Sequence, residues 1–155
     1  MNPLPRILLA EDSSEDAELV LEALAEYRIA NTVLHVKDGE EALDYLYRRG
    51  AFANYPPIQP AVVLLDLKMP KVDGISLISF MRESNPALPI VVFTGVGYDE
   101  EQMHAALRAG ANGYVSKNLP IEQLYCVLAR VLATCQQRRP SVAFNGQQPA
   151  LAGAA

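Results

Sequence analysis

The chain has 155 residues, 50% of them hydrophobic and 20% charged, and its formal net charge is −5. These values are typical of one soluble globular domain, and the acidic balance argues against binding to nucleic acid, whose phosphates attract basic surfaces. No apolar run reaches the roughly 18 residues of a membrane helix, and the N-terminal apolar stretch is too short for a signal peptide. We therefore expect a cytoplasmic protein that binds neither nucleic acid nor membrane.

The apolar pattern alternates along the chain between strand-like runs and helix-like stripes. Short continuous apolar runs predict strands at residues 6–10, 32–36, 61–66, 89–93 and 112–115. The second of the intervening helices is predicted to end at Gly50, and the third, fourth and fifth helices are predicted at 75–83, 99–109 and 120–134. The first helix carries an apolar stripe of Leu19, Val20, Ala23, Leu24 and Tyr27. Five β-α units in succession predict an α/β fold with a parallel sheet between two layers of helices.

Two segments lie outside this rhythm. Residues 51–60 (AFANYPPIQP) form a proline-rich connection that is long for a helix-to-strand loop. Residues 136–155 are rich in Gln, Ala, Pro and Gly and lack an apolar stripe, which predicts a disordered tail after a folded domain of residues 5–135.

Three residues near the end of the folded region are interpreted as buried. Leu107 is assigned to the core side of the fourth helix. Cys126 and Cys135 are too few for a disulfide framework or a metal cluster, so they are interpreted as buried or partly buried thiols in a reducing compartment.

Polar side chains follow four of the predicted strands at their carboxyl ends. They are Glu11 and Asp12 after the first strand, and Asp66, Thr94 and Lys117 at the ends of the third, fourth and fifth. A single Asp in such a place is most often a helix cap, and a single Lys is most often solvated. However, the carboxyl ends of parallel strands form one crevice, so we expect these side chains to lie together.

This set of residue types points to phosphoryl chemistry. Three carboxylates that lie close together repel one another, and a divalent cation relieves that repulsion. Carboxylates, a backbone carbonyl and water suit Mg²⁺, which keeps positions open for phosphate oxygens. Lys117 adds a positive charge and Thr94 a hydrogen-bond donor, so the crevice is suited to a phosphoryl group that an aspartate receives as nucleophile.

Four stretches resemble the receiver domains of response regulators in bacterial two-component signalling: ILLAED, LLDLKMPKVDG, VVFTG and NGYVSK. The resemblance covers about residues 5–134 and implies a flavodoxin-like (βα)5 fold with a doubly wound parallel sheet in the strand order 2-1-3-4-5. It also implies that Asp66 is the phosphoacceptor and that Lys117 binds the phosphoryl group. Mg²⁺ would be held by Glu11, Asp12, Asp66 and the backbone carbonyl of Lys68.

The same resemblance implies a switch and a partner. After phosphorylation, Thr94 would bind a phosphoryl oxygen and Tyr114 would turn inward, which reshapes the face of the fourth helix, fifth strand and fifth helix for binding another protein or a second copy. The long connection after GEEALDYLYRRG is similar to that of stand-alone receivers that partner phytochrome-type sensor histidine kinases. Asn118 departs from the family pattern, which usually has Pro after the lysine. The only chemistry implied is Mg²⁺-dependent autophosphorylation and autodephosphorylation.

Alternative functions use the same residues differently. A phosphohydrolase of the haloacid-dehalogenase type also uses a nucleophilic Asp with Mg²⁺, but it carries a second acid two residues later, where this chain has Lys68. A flavin carrier needs a phosphate loop rich in Ser, Thr or Gly, where this chain has EDSSED. A scaffold that acts without phosphorylation, or an intermediate in a phosphorelay, stays open.

Overall fold

The structure is a computed structural model that describes residues 5–95, 99–118 and 120–145, with side chains described as far as Thr134. Within these residues five strands form one parallel sheet: β1 (Ile7–Ala10), β2 (Val33–Val36), β3 (Val62–Leu65), β4 (Ile90–Thr94) and β5 (Gly113–Ser116). The strand order is β2-β1-β3-β4-β5, and every pair is parallel. The predicted α/β fold and strand order are confirmed.

The helices of the described ranges each follow a strand: α1 (Ser14–Glu26), α2 (Gly39–Tyr47), α3 (Gly74–Ser84), α4 (Glu100–Ala109) and α5 (Glu122–Asn145). A short 3₁₀ turn at Gly50–Phe52 begins the long connection after α2, which ends before the predicted Gly50. Helices α1 to α4 begin at residues whose side chains accept a hydrogen bond from the first turn, namely Ser13, Asp38, Asp73 and Asp99. These caps hold the β-α loops at the carboxyl edge of the sheet.

The sheet separates two hydrophobic cores because successive strand residues point to opposite faces. On β1, Leu8 and Ala10 face the core beneath α2, α3 and α4, whereas Ile7 and Leu9 face the core beneath α1 and α5. The central strand β3 is buried along its whole length, as expected for a parallel sheet covered on both sides. Each fully buried Leu or Ile contributes roughly 1.5–3 kcal/mol, so this sheet is a rigid base for the residues at its edge.

Three side chains expected to be buried are exposed. Leu19 is 58% exposed, because the buried side of α1 is centred on Ala17, Val20 and Leu24 and Leu19 lies at its margin. Leu107 is 41% exposed, since Ala106 occupies the buried position of α4. Cys126 is a free and exposed thiol rather than a buried one. The side chain of Cys135 lies outside the described residues.

Helix α5 is longer than predicted. It continues from Glu122 to Asn145 instead of ending near Thr134, and so it includes residues 136–145 of the segment predicted to be a disordered tail. The Gln and Arg residues just after Cys135 are good helix formers even without an apolar stripe. Residues 146–155 of the predicted tail lie outside the described residues. Among the described helices, none combines the length and apolar character needed to cross a membrane.

Candidate functional site

The carboxyl edge of the sheet brings together the polar residues that the sequence placed there. Glu11 and Asp66 directly follow β1 and β3, and the amide of Asp66 donates to the Ala10 carbonyl at 3.1 Å. Thr94 ends β4, and the amide of Lys117 donates to its carbonyl at 2.8 Å. The ladder between neighbouring strands therefore continues one residue beyond the strands and sets the positions of these side chains.

Three of the carboxylates form a compact cluster. Glu11, Asp12 and Asp66 each offer an oxygen that lies within 4.8 Å of the others. Glu11 is 1% exposed and Asp66 is 6% exposed, whereas Asp12 is open to solvent. Hard carboxylate oxygens at this spacing fit a small divalent cation such as Mg²⁺. The fit agrees with the cation site expected from the sequence.

Burial sets the protonation of the cluster. It raises the pKa of Glu11 to about 7, against the opposing hydrogen bond from Lys117 and with the help of the negative charge on Asp66. The backbone amide of Ser13 donates to the second oxygen of Glu11 at 3.2 Å. Near neutral pH the apo cluster therefore exchanges protons readily, and a bound cation would displace the proton from Glu11.

The Lys117 ammonium makes the largest set of charged contacts at the site. Its Nζ lies 2.6 Å from Glu11 Oε1, 2.6 Å from Asp16 Oδ2 and 3.1 Å from Asp66 Oδ2. Burial alone would lower the pKa of Lys117, but the hydrogen bonds to Asp16, Glu11 and Asp66 together raise it above its ordinary value. Lys117 is therefore a permanent positive charge beside Asp66.

Asp16 was missed by the sequence interpretation. It lies in the first turn of α1, where an acidic residue is usually explained by the helix dipole. The spacing held a signal, because Asp16 lies one helical turn beyond the loop that carries Asp12 and so returns to the same edge of the sheet. Its contact with Lys117 joins residues that are 101 positions apart.

The two oxygens of Asp66 have different partners. The backbone amide of Lys68 donates to Oδ1 at 3.1 Å, while Oδ2 accepts from Lys117. The loop behind Lys68 is held tightly, because a Cβ on Gly74 would lie 2.6 Å from the Cα of Leu67. This loop is therefore shaped around Asp66, whereas the role of the Lys68 carbonyl as a cation ligand stays a prediction.

A buried hydroxyl and a half-buried tyrosine lie beside the acidic cluster. The Thr94 hydroxyl is buried and has no hydrogen-bond partner among the described residues, although a buried polar group normally has one. Tyr114 on β5 packs at the margin of the core, and its hydroxyl donates to Gln102 of α4 at 3.4 Å. A hydroxyl without a partner at this edge is a donor available for an added group.

Two further features border the site. The ring Nε2 of His35 on β2 donates to the Glu11 carbonyl at 2.6 Å and so ties the β1–α1 loop to the neighbouring strand. A groove of about 280 Å³ lies between α1 and α5, and Leu19, Phe93 and Ile121 line its apolar part while Asp16 and Lys117 lie at its inner end. The Lys117–Asn118 peptide bond is trans, so the departure at Asn118 is accommodated without a cis bond.

Comparisons with known proteins agree with the geometry. The family model described as "Response regulator receiver domain" matches residues 7–129. Response regulator Rcp1 of Synechocystis sp. is 34% identical over 127 residues, which cover 80% of this chain and 84% of that protein. The solved structure of the bacteriophytochrome response regulator RtBRR is 38% identical, with a TM-score of 0.74 over 83% of this chain and 78% of its own. The Mn²⁺-bound form of Rcp1 is 28% identical, with a TM-score of 0.68 over 87% of this chain and 91% of its own.

Proposed function

The chain belongs to the response regulator receiver family, and on that basis we propose that it accepts a phosphoryl group on Asp66 from a sensor histidine kinase. The phosphorylated form then binds another protein through a surface that phosphorylation has reshaped. The family membership supports the general signalling role. The assignment of the individual residues rests on their arrangement in this chain.

One observation carries the proposal more than any other. Asp66 is a buried carboxylate that lies 3.1 Å from the Lys117 ammonium and within 4.8 Å of the carboxylates of Glu11 and Asp12. A purely structural carboxylate would be satisfied by Lys117 alone and would gain nothing from two further acids beside it. The cluster makes sense when a cation and an added phosphoryl group share the site.

Each residue has a distinct role in the transfer. An Asp66 oxygen attacks the phosphorus, the bond from phosphorus to the kinase's histidine nitrogen breaks, and an acyl phosphate forms on Asp66. Lys117 donates to a phosphoryl oxygen and offsets its charge. When bound by Glu11, Asp12, Asp66 and the Lys68 carbonyl, Mg²⁺ supplies charge neutralisation for the phosphoryl oxygens. The chain needs no other catalytic group, because phosphoryl transfer depends mainly on positioning and electrostatics.

The buried hydroxyl of Thr94 supports a conformational switch. A phosphoryl group brings about two negative charges and three acceptor oxygens to the site, and the Thr94 hydroxyl has no partner among the described residues that it would have to give up. Movement of Thr94 toward the phosphoryl group would leave space that Tyr114 fills. That movement would break the contact of Tyr114 with Gln102 on α4 and so alter the face of α4, β5 and α5.

The relatives support the class of the phosphoryl donor. RtBRR and AtBRR, whose solved structures are each 38% identical to this chain, are bacteriophytochrome response regulators. The donor proposed here is therefore a phytochrome-type histidine kinase. The output is a protein partner or a second copy of the chain, acting in the cytoplasm without nucleic acid or membrane.

Intact-protein mass spectrometry after incubation with acetyl phosphate tests the phosphoacceptor. We expect one added phosphoryl group that requires both Mg²⁺ and Asp66, so that Asp66→Asn gains none. Asp44→Asn is a matched control, because Asp44 is a carboxylate on α2 whose ion pair is with Arg49, away from the cluster. Lack of added mass together with lack of beryllofluoride binding in the wild-type protein would refute the proposal. Transfer from a purified phytochrome-type kinase, compared with an unrelated sensor kinase, tests the donor.

A further inference from the structure

The Lys117 ammonium has three N–H donors, and the structure gives all three to carboxylates. The contacts to Glu11 and Asp16 are both 2.6 Å, and the contact to Asp66 is longer, at 3.1 Å. A phosphoryl group on Asp66 adds oxygens that also need this ammonium. Lys117 can bind them fully only if it leaves one of its present partners.

The two shorter contacts differ in how a cation would affect them. Glu11 belongs to the acidic cluster, so a bound cation supplies it with a replacement positive charge. Asp16 is outside that cluster and receives no such compensation. With the cation in place, Asp16 is therefore the carboxylate that still competes for Lys117.

Exposure makes the contact with Asp16 reversible. The Asp16 side chain is 36% exposed, whereas that of Glu11 is 1% exposed. Water can solvate the Asp16 carboxylate when Lys117 leaves, because the side chain lies at the inner end of the groove between α1 and α5. An ion pair of this exposure is worth little in net free energy, so it can be exchanged for a phosphoryl contact.

We propose that Asp16 is a positioning residue that holds Lys117 while Asp66 is unmodified and thereby lowers the affinity of the site for a phosphoryl group. The inference rests on the proposed function and deepens it. Asp16 touches neither the phosphorus nor the attacking oxygen, and it acts only through Lys117. Its carboxylate reduces the positive charge that Lys117 offers to the phosphoryl oxygens.

The test is a titration of the full chain with beryllofluoride, a phosphoryl analogue, at a Mg²⁺ concentration that saturates each variant, followed by ¹⁹F NMR. Asp16→Asn should lower the beryllofluoride Kd by about 3- to 10-fold, the amount expected from removing one partly exposed charged competitor. Glu15→Gln is the matched control. It removes a charge from the same turn of α1, and the ion pairs among the described residues do not include Glu15. Its Kd should stay within about twofold of wild type.

A second pair of variants separates competition for Lys117 from simple charge repulsion. In a Lys117→Gln background, Asp16→Asn should change the Kd by less than about twofold, because the competitor has lost its target. A full effect in that background would overturn the positioning role. Urea unfolding of Asp16→Asn provides a readout of structural damage, which would weaken beryllofluoride binding rather than tighten it.

The outcomes distinguish this inference from the function on which it rests. If wild-type protein binds beryllofluoride and Asp16→Asn binds it equally or more weakly, the role of Asp16 is refuted and the receiver function stands. If wild-type protein binds no beryllofluoride in the presence of Mg²⁺, the receiver function itself is refuted, and the inference falls with it.

Discussion

Divalent cation binding at the acidic cluster should weaken steeply as the pH falls below about 7. Burial raises the pKa of Glu11 to about 7, against the hydrogen bond from Lys117 and together with the charge of Asp66. A cation binds the ionised carboxylate, so it competes with the proton. The sign follows directly: a higher pH leaves Glu11 ionised and favours the cation, and a lower pH protonates Glu11 and disfavours it.

The magnitude follows from the position of this pKa. Half of the Glu11 side chains are ionised at about pH 7, and roughly one in ten is ionised at about pH 6. The apparent Kd for Mg²⁺ should therefore rise about tenfold for each pH unit below 7 and level off above about pH 8. Binding at about pH 7 should release roughly half a proton.

Isothermal titration calorimetry with Mg²⁺ in two buffers of different ionisation enthalpy measures both quantities, from about pH 6 to about pH 8. Glu11→Gln should bind Mg²⁺ more weakly and lose the tenfold slope, because the amide does not titrate. Glu15→Gln, which alters an exposed carboxylate outside the cluster, should keep the slope of the wild type. A wild-type Kd that is constant over this range, or a slope that survives in Glu11→Gln, would show that Glu11 does not govern the site.

Three substitutions test the scaffold around the site. Arg82→Ala should lower the free energy of unfolding by about 2–4 kcal/mol, measured by urea unfolding, because the guanidinium donates to the carbonyl of Gly110 and to two carbonyls after α3; Arg130→Ala, on the exposed side of α5, should change it by less than about 0.5 kcal/mol. Gly74→Ala should cost about 1–3 kcal/mol in the same assay, since its Cβ would meet the neighbouring backbone at 2.6 Å, and an unchanged midpoint would contradict the tight loop. Thr94→Val should leave stability unchanged or raise it by up to about 1 kcal/mol, because it removes a buried hydroxyl without a partner among the described residues. The same Thr94→Val variant should bind beryllofluoride without the change in tyrosine fluorescence that the wild type shows, and a normal fluorescence change would contradict the switch.

The arrangement of the site residues along the strands was readable from the sequence for a simple reason. Parallel strands that follow one another through helices all end at the same edge of a sheet. A polar residue directly after a buried apolar run is therefore assigned to that edge by counting along the chain. Asp66, Thr94 and Lys117 were placed together by this rule, and the register between the strands confirms it.

Contacts that depend on how a helix sits on the sheet could not be counted in this way. The role of Asp16 depends on the packing of α1 against the end of β5, and the sequence alone assigned this acid only to a helix terminus. The exposure of Leu19 has the same origin, because the rotation of α1 about its axis decides which of two adjacent residues turns inward. The contact of His35 with the Glu11 carbonyl required the side-chain direction on an edge strand.

The sequence by itself therefore determined the fold class and which side chains share the carboxyl edge of the sheet. Both follow from periodicity and chain order, which are one-dimensional properties. Only the tertiary structure decided which carboxylates hold Lys117 and at what distances, and that the Thr94 hydroxyl is buried without a partner among the described residues. These features arise where separately folded segments meet, and there the packing of the cores, rather than any local pattern, selects the partner of each polar group.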